Sequence, residues 1–298
     1  MICVRYHPMT AIDISEKKEE NYKPLFSIES LIVSKNPRLL KFIPNVVLNY
    51  FKGVIHEEEL NDAMHRFRHL PALEFIDSIL GEFGSVIVVK GDENIPTTGR
   101  LMVASNHPLG GMDGMALMKA VGRVRHDFTF PVNDLLMHVP NLKPHFIPIN
   151  KHGSNAGNIR IMDEAYASDQ TVLYFPAGMC SRMTKGQILD LEWKKTFLTK
   201  ARKFQRDIIP TYIDGRNSLF FYRLANIRKF LGIKANVEML YLVDEMYKQR
   251  GRTLTILFGK PIPYTTFDKR HTDQEWAARI KAHVYALKDG KDNFNDFI

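Results

Sequence analysis

Residues 100–125 read "RLMVASNHPLGGMDGMALMKAVGRVR". The opening "RLMVASNHP" is a short apolar run that stops at Pro108, the signature of a strand. Gly110 and Gly111 break the chain, and "MDGMALMKAVGRVR" then carries apolar residues at helical spacing. The stretch therefore predicts a strand, a tight loop and a helix. The same alternation recurs along the chain. Strand-like runs stand at "SVIVVKG", "DFTFPVN", "HFIPIN", "TVLYFPAG", "DIIPTYID" and "TLTILFGKPI", with helix-like segments "NAGNIRIMDEAYASD" and "EWKKTFLTKARKFQ" between them. Such alternation predicts an α/β fold: a mixed, largely parallel sheet flanked by helices, over residues 85–298. "TDQEWAARIKAHVYALK" reads as a closing helix, with Thr272 as N-cap and Glu275 three residues on. Residues 24–84 read as a helical N-terminal subdomain broken by Pro37 and Pro44, with Gly84 as its stop. Residues 1–23, polar and charged, read as a flexible N-terminal arm.

Composition narrows the function classes. The chain has 298 residues, 45% hydrophobic, enough to bury a sizeable core. Its two cysteines, Cys3 and Cys180, build neither a disulfide framework nor a zinc site by themselves. No run of about 18 apolar residues suggests a spanning helix, and "MICVRYHPMTAIDISEKKEE" lacks the apolar core of a signal peptide. A cytoplasmic location is expected. The net charge of +8 suits nucleic acid, anionic lipid or an acidic substrate or carrier.

The loop "SNHPLGGMDG" carries the candidate chemistry. A histidine can take a proton at neutral pH, and a carboxylate beside it fixes its tautomer and stabilises the imidazolium. Pro108 keeps His107 extended, projecting from the strand end. Asp113 falls in the first turn of the helix, where a carboxylate is favoured. Ligands of open α/β sheets bind outside the carboxyl ends of strands. Both this loop and "FPAGMCSR" follow strands. A helix-capping aspartate beside an unrelated histidine is the competing reading.

Taken in order, the segments resemble the blocks of the glycerolipid (lysophosphatidic acid) acyltransferase superfamily. "NHPLGGMD" is similar to its histidine–aspartate motif, "FIPINK" to its second block, "FPAGMCSR" to its Phe-Pro-Glu-Gly block and "DIIPTYI" to its fourth. "LFGKPIPY" resembles its late strand. The extra glycine brings the chain nearest to bacterial hemolysin-like acyltransferases, a group that includes O-acyltransferases of ornithine and glycine lipids. The resemblance implies transfer of a fatty acyl group from acyl carrier protein or acyl-CoA to the hydroxyl of a lyso-lipid, with no cofactor, and no metal is expected because the histidines lack ligand spacing. It makes His107 the general base and Asp113 its orienting partner. It places Asn106, Gly110, Gly111, Lys151, Phe175, Pro176, Gly178, Ser181 and Arg182 at the substrates, with the three glycines as candidate oxyanion donors.

Two departures qualify the match. Five residues separate His107 from Asp113 instead of the usual four, so the glycines must absorb one. Ala177 stands where the family has glutamate, and the arginine arrives late, at Arg182. In the family those charges hold glycerol phosphate, so an amino-acid lyso-lipid with a carboxylate head is at least as good an acceptor here. Acylation of 1-acylglycerol-3-phosphate is the alternative. Arg182 and Lys151 also read as ordinary surface residues.

Other chemistry has less support. Cys180 or Ser181 as a nucleophile lacks the Gly-x-Ser-x-Gly elbow. "RNSLFFYRLANIRKFLGIK", residues 216–234, has five basic residues and no acid. Phe220, Leu224, Ile227 and Leu231 make one stripe of a helix there, with Arg223 and Arg228 at its flanks to snorkel toward lipid phosphates. A helix over 39–55 is a second candidate. Together they predict peripheral contact with an anionic surface, the inner face of the cytoplasmic membrane. Packing on the protein's own core is the competing reading for both. Nucleic-acid binding explains the charge but none of the ordered blocks, and no such partner is expected. A lipid-binding protein without turnover is the other rival.

Overall fold

A computed structural model describes residues 24–35, 37–133, 136–149 and 156–298. The expected arm at 1–23 and Lys151 lie outside these residues. Among them, helices run α1 Ile28–Lys35, α2 Pro37–Leu40, α3 Asn45–Val54, α4 Glu57–Arg66, α5 Ala72–Glu82, α6 Gly111–Gly122, α7 Ala156–Ala167, α8 Thr196–Lys203, α9 Leu219–Phe230, α10 Leu242–Tyr247 and α11 Asp273–Ala286. Strands run β1 Val86–Lys90, β2 Leu101–Ser105, β3 Phe128–Val132, β4 Phe146–Pro148, β5 Thr171–Tyr174, β6 Arg182–Thr184, β7 Gln187–Leu189, β8 Asp207–Asp214 and β9 Thr253–Phe258.

Seven strands form one sheet in the order β1-β9-β8-β2-β5-β3-β4. Every neighbouring pair is parallel except β8 with β9. The fold is thus the mixed, largely parallel α/β sheet that the alternation predicts. Strand β2 lies at its centre between β5 and β8 and is buried throughout. Strand periodicity divides its residues between two cores. Leu101 and Val103 pack with α5 and α6, while Met102 and Ala104 pack with Phe197 of α8 and Trp276 of α11. Helix α11 begins with the expected capping box: Thr272 Oγ1 accepts from the Glu275 N–H, and the Glu275 carboxylate accepts from the Thr272 N–H.

Two local expectations need correction. The segment 39–55 is not one helix, because α2 ends at Leu40 and Pro44 starts α3 afresh; proline at the head of a helix costs no hydrogen bond. The helix within "EWKKTFLTKARKFQ" starts only at Thr196. After "FPAGMCSR" the chain forms a two-stranded antiparallel hairpin, β6–β7, turning through Lys185 and Gly186, both at positive φ. Its three-residue strands are too short for periodicity to mark.

Candidate active site

Because β2 lies between β5 and β8, their carboxyl ends stand side by side, Ala104 opposite Tyr174 and Ser105 opposite Thr211. The loops that follow carry the candidate residues. His107 Nδ1 lies 3.0 Å from Asp113 Oδ2. The same oxygen accepts the Leu109 N–H at 2.8 Å. Asp113 is fully buried in the first turn of α6, and His107 is 17% exposed at its side chain. A carboxylate only accepts, so Nδ1 carries the proton and Nε2 is the basic nitrogen. Among the described residues Nε2 has no partner. The imidazole stacks on the Phe175 ring, centroids 4.0 Å apart.

The glycines absorb the extra residue unequally. Gly110 adopts φ 99° and ψ −118°, open to glycine and strained for other residues. A Cβ there would also meet Leu242 at 3.2 Å. Gly111 is ordinary helix, and a Cβ on it would meet only Met246 Sδ at 3.7 Å. Their amides stand at the head of α6, where the helix itself supplies no acceptor. Gly178, at φ 66°, is different: its N–H donates to Phe175 O at 3.0 Å, closing the turn after β5.

The remaining candidates are placed as follows. Phe175 lies against His107, and buried Pro176 accepts the Lys194 N–H at its carbonyl. Asn106 spends its amide on the backbone of Ile213, donating to the carbonyl at 2.9 Å and accepting the N–H at 2.7 Å. It ties the ends of β2 and β8 together instead of facing the imidazole. Arg182 is turned inward and not exposed. It donates to Cys180 O at 2.7 Å and to Glu238 Oε1 at 2.9 Å. Glu238, wholly buried, also meets Arg228 at 2.8 Å, an ion pair without hydrogen-bond geometry. Arg228 is therefore tied down, and of the two expected flanking arginines only Arg223 is exposed.

Neither nucleophile candidate reaches the base. The Ser181 hydroxyl donates to Asp190 Oδ1 at 2.6 Å. Cys180 is packed with Phe221 and Tyr222, and burial pushes its thiol up to about 11. Asp190 itself, in "ILDLEW", carries no local motif and was not singled out in the sequence. Its only signal there is Trp193 three residues on, and the structure brings the two together, Trp193 Nε1 donating to Asp190 Oδ2 at 2.9 Å.

The expected membrane segments meet. Tyr50 of α3 and Tyr241 have hydroxyls 3.1 Å apart, and the Phe220 ring of α9 stands edge-on to Tyr241. On and beside these two helices Phe42, Val46 and Phe230 are 80% exposed or more, with Leu219, Ile227 and Leu231 over half exposed. Phe221, Tyr222 and Ala225, on the other side of α9, are buried. No helix among the described residues is long and apolar enough to cross a membrane.

A family model described as acyltransferase matches residues 30–294. The chain is 45% identical over 265 residues to a lyso-glycine lipid O-acyltransferase of Phocaeicola vulgatus, covering 88% of this chain and 95% of that one. It is 44% identical over 266 residues to a protein of the same name from Bacteroides thetaiotaomicron, covering 88% and 97%. The crystal structure of the 1-acyl-sn-glycerophosphate (LPA) acyltransferase PlsC from Thermotoga maritima matches with a TM-score of 0.45 at 18% identity, over 80% of this chain and 92% of that one.

Proposed function

This chain belongs to the acyltransferase family, and we propose that it moves a fatty acyl group from an acyl thioester to the hydroxyl of a lyso-glycine lipid. The reaction is carried by one observation: His107 presents an unengaged Nε2 while Asp113 holds its Nδ1 proton. In this reading Nε2 takes the acceptor's hydroxyl proton as the oxygen attacks the thioester carbon. The tetrahedral oxyanion finds donors at the head of α6, where the amides of Gly110 and Gly111 have no acceptor within the helix. Collapse expels the thiolate of acyl carrier protein or coenzyme A, which takes the proton back from the imidazolium. Asp113 stays ionised throughout and stabilises that cation.

The acceptor is argued from the relatives' names and from charge. A glycerol phosphate acceptor needs the acid that Ala177 replaces and an arginine free to meet it. Arg182 is committed to Glu238. The apolar face around α3 and α9 suits entry of a lipid from a bilayer. Arg223, Lys229 and Lys234 are exposed beside it with no carboxylate partner among the described residues, which favours an anionic leaflet, the inner face of the cytoplasmic membrane.

The test is acyl transfer by purified protein to lyso-glycine lipid and to 1-acylglycerol-3-phosphate, each with acyl carrier protein and with coenzyme A thioesters. Product from lyso-glycine lipid is expected. Acylation of the glycerophosphate alone would overturn the acceptor, and product from neither would overturn the reaction.

A further inference from the structure

We infer that Asp190 is a positioning residue of acyl transfer, holding the backbone of His107 so that its imidazole meets Asp113. The proposal rests on the reading of His107 as base. Asp190 follows β7 and is 5% exposed. Its Oδ1 accepts the backbone N–H of His107 at 3.1 Å and the Ser181 hydroxyl at 2.6 Å. Its Oδ2 accepts Trp193 Nε1–H. The carbonyl of His107 is held as well, by the Ser181 N–H at 2.7 Å. Both polar groups of the His107 peptide units are thus fixed by the segment 181–190, which lies beyond β5 in sequence.

The clamp is itself anchored. The Asp190 N–H donates to the Tyr285 hydroxyl at 2.8 Å, and Lys281 Nζ donates to Asp190 O at 2.7 Å. Both partners come from α11, whose buried face packs on the sheet. A chain of hydrogen bonds therefore runs from that helix through Asp190 to His107. Asp113 and the Phe175 ring act on the imidazole, whereas Asp190 and the Ser181 N–H act on the His107 backbone from which it projects. An ionised carboxylate suits the task because every neighbour is a donor.

Asp190→Asn is nearly isosteric and isolates the point. An amide has one acceptor oxygen. Turned toward His107 and Ser181, it sets its NH2 against the Trp193 N–H. Turned toward Trp193, it sets NH2 against the His107 N–H. The expected result is a fall in kcat of about 10- to 100-fold, the scale of a small misplacement of a reacting group. KM for either substrate stays within about twofold, since Asp190 contacts neither. The low-field proton resonance of His107 Nδ1–H broadens or disappears. Adding Trp193→Phe removes the opposing donor, so the double variant recovers kcat toward that of Trp193→Phe alone. If Asp190→Asn does not fold, Asp190→Ser is read in its place, with the same expected fall in kcat, near-constant KM and lost Nδ1–H resonance.

Wild-type kcat in folded Asp190→Asn overturns the proposal. So does a fall in kcat with an unchanged Nδ1 resonance, or a double variant no better than the single one. His107→Ala, assayed alongside, keeps the two ideas apart: turnover retained there removes the base, not the clamp.

Discussion

Two hydrogens at the loop after β2 point to one oxygen. Both the Leu109 N–H and His107 Nδ1–H end on Asp113 Oδ2. An asparagine at 113 can keep its oxygen there, so Asp113→Asn should fold normally. A neutral amide stabilises an imidazolium poorly. In the proposed reaction His107→Ala lowers kcat by about 100- to 10,000-fold and Asp113→Asn by a large part of that factor, with melting temperatures near wild type. Steady-state acyl transfer with parallel thermal melts checks both. Cys180 offers a separate test. Its usual value of 9.0 is raised to about 11 by burial, so between those limits the unfolded chain ionises first. It then binds fewer protons than the folded one, and stability falls as pH rises through that window. Iodoacetamide at pH 8 should leave Cys180 unmodified in folded protein and label it in denaturant. The His107–Asp113 pair was legible in sequence because both partners lie in one loop. Asp190 was not, because its partners lie at 107, 181 and 193, joined only by the fold.

At the scale of the element, the adjacent glycines of the loop behave differently. Gly110 bends the chain at positive φ so that α6 can start one residue late and still return Asp113 to the imidazole. Gly110→Ala puts a Cβ into that conformation and against Leu242. It should cost about 1–3 kcal/mol of stability and lower kcat. Gly111→Ala meets only an ordinary contact within a helix and should leave both nearly unchanged, with urea unfolding and turnover as the measures. Sequence could say that glycines were needed there but not which one carried the strain, since φ depends on how the loop meets α10. Periodicity found most of the strands. It missed β6–β7, whose strands are three residues long, and it ran α2 and α3 together across Pro44. Helix α9 carries the stripe of Phe220, Leu224 and Ile227, with Leu231 just past its end, but periodicity alone gave no sign of which face would be covered. The structure buries Phe221, Tyr222 and Ala225 instead.

Across the whole molecule, one topological fact assembles the site and another gives it a surface. Strand order sets β2 between β5 and β8, so the carboxyl ends of three strands far apart in sequence come together at the middle of the sheet. Meanwhile α3 and α9, about 170 residues apart, meet through Tyr50, Tyr241 and Phe220. Periodicity indicated each helix separately; their adjacency belongs to the tertiary fold. A face this apolar, with unpaired cations beside it, should bind vesicles through both. Seating an exposed phenylalanine in the acyl boundary contributes about 1.5–3 kcal/mol, and each lysine or arginine near an anionic surface about 1 kcal/mol. Phe230→Asp should weaken binding to anionic vesicles by about tenfold or more on this scale at any salt concentration. Replacing Arg223, Lys229 and Lys234 by glutamine should weaken it at low salt and lose its effect at high salt, where screening already removes the charge contribution. Flotation with vesicles of varied anionic content measures both. Equal binding by wild type and Phe230→Asp would mean that this face packs against something other than a bilayer. In that case turnover on detergent-dispersed acceptor should persist in both proteins, because Phe230→Asp does not touch the loop of His107.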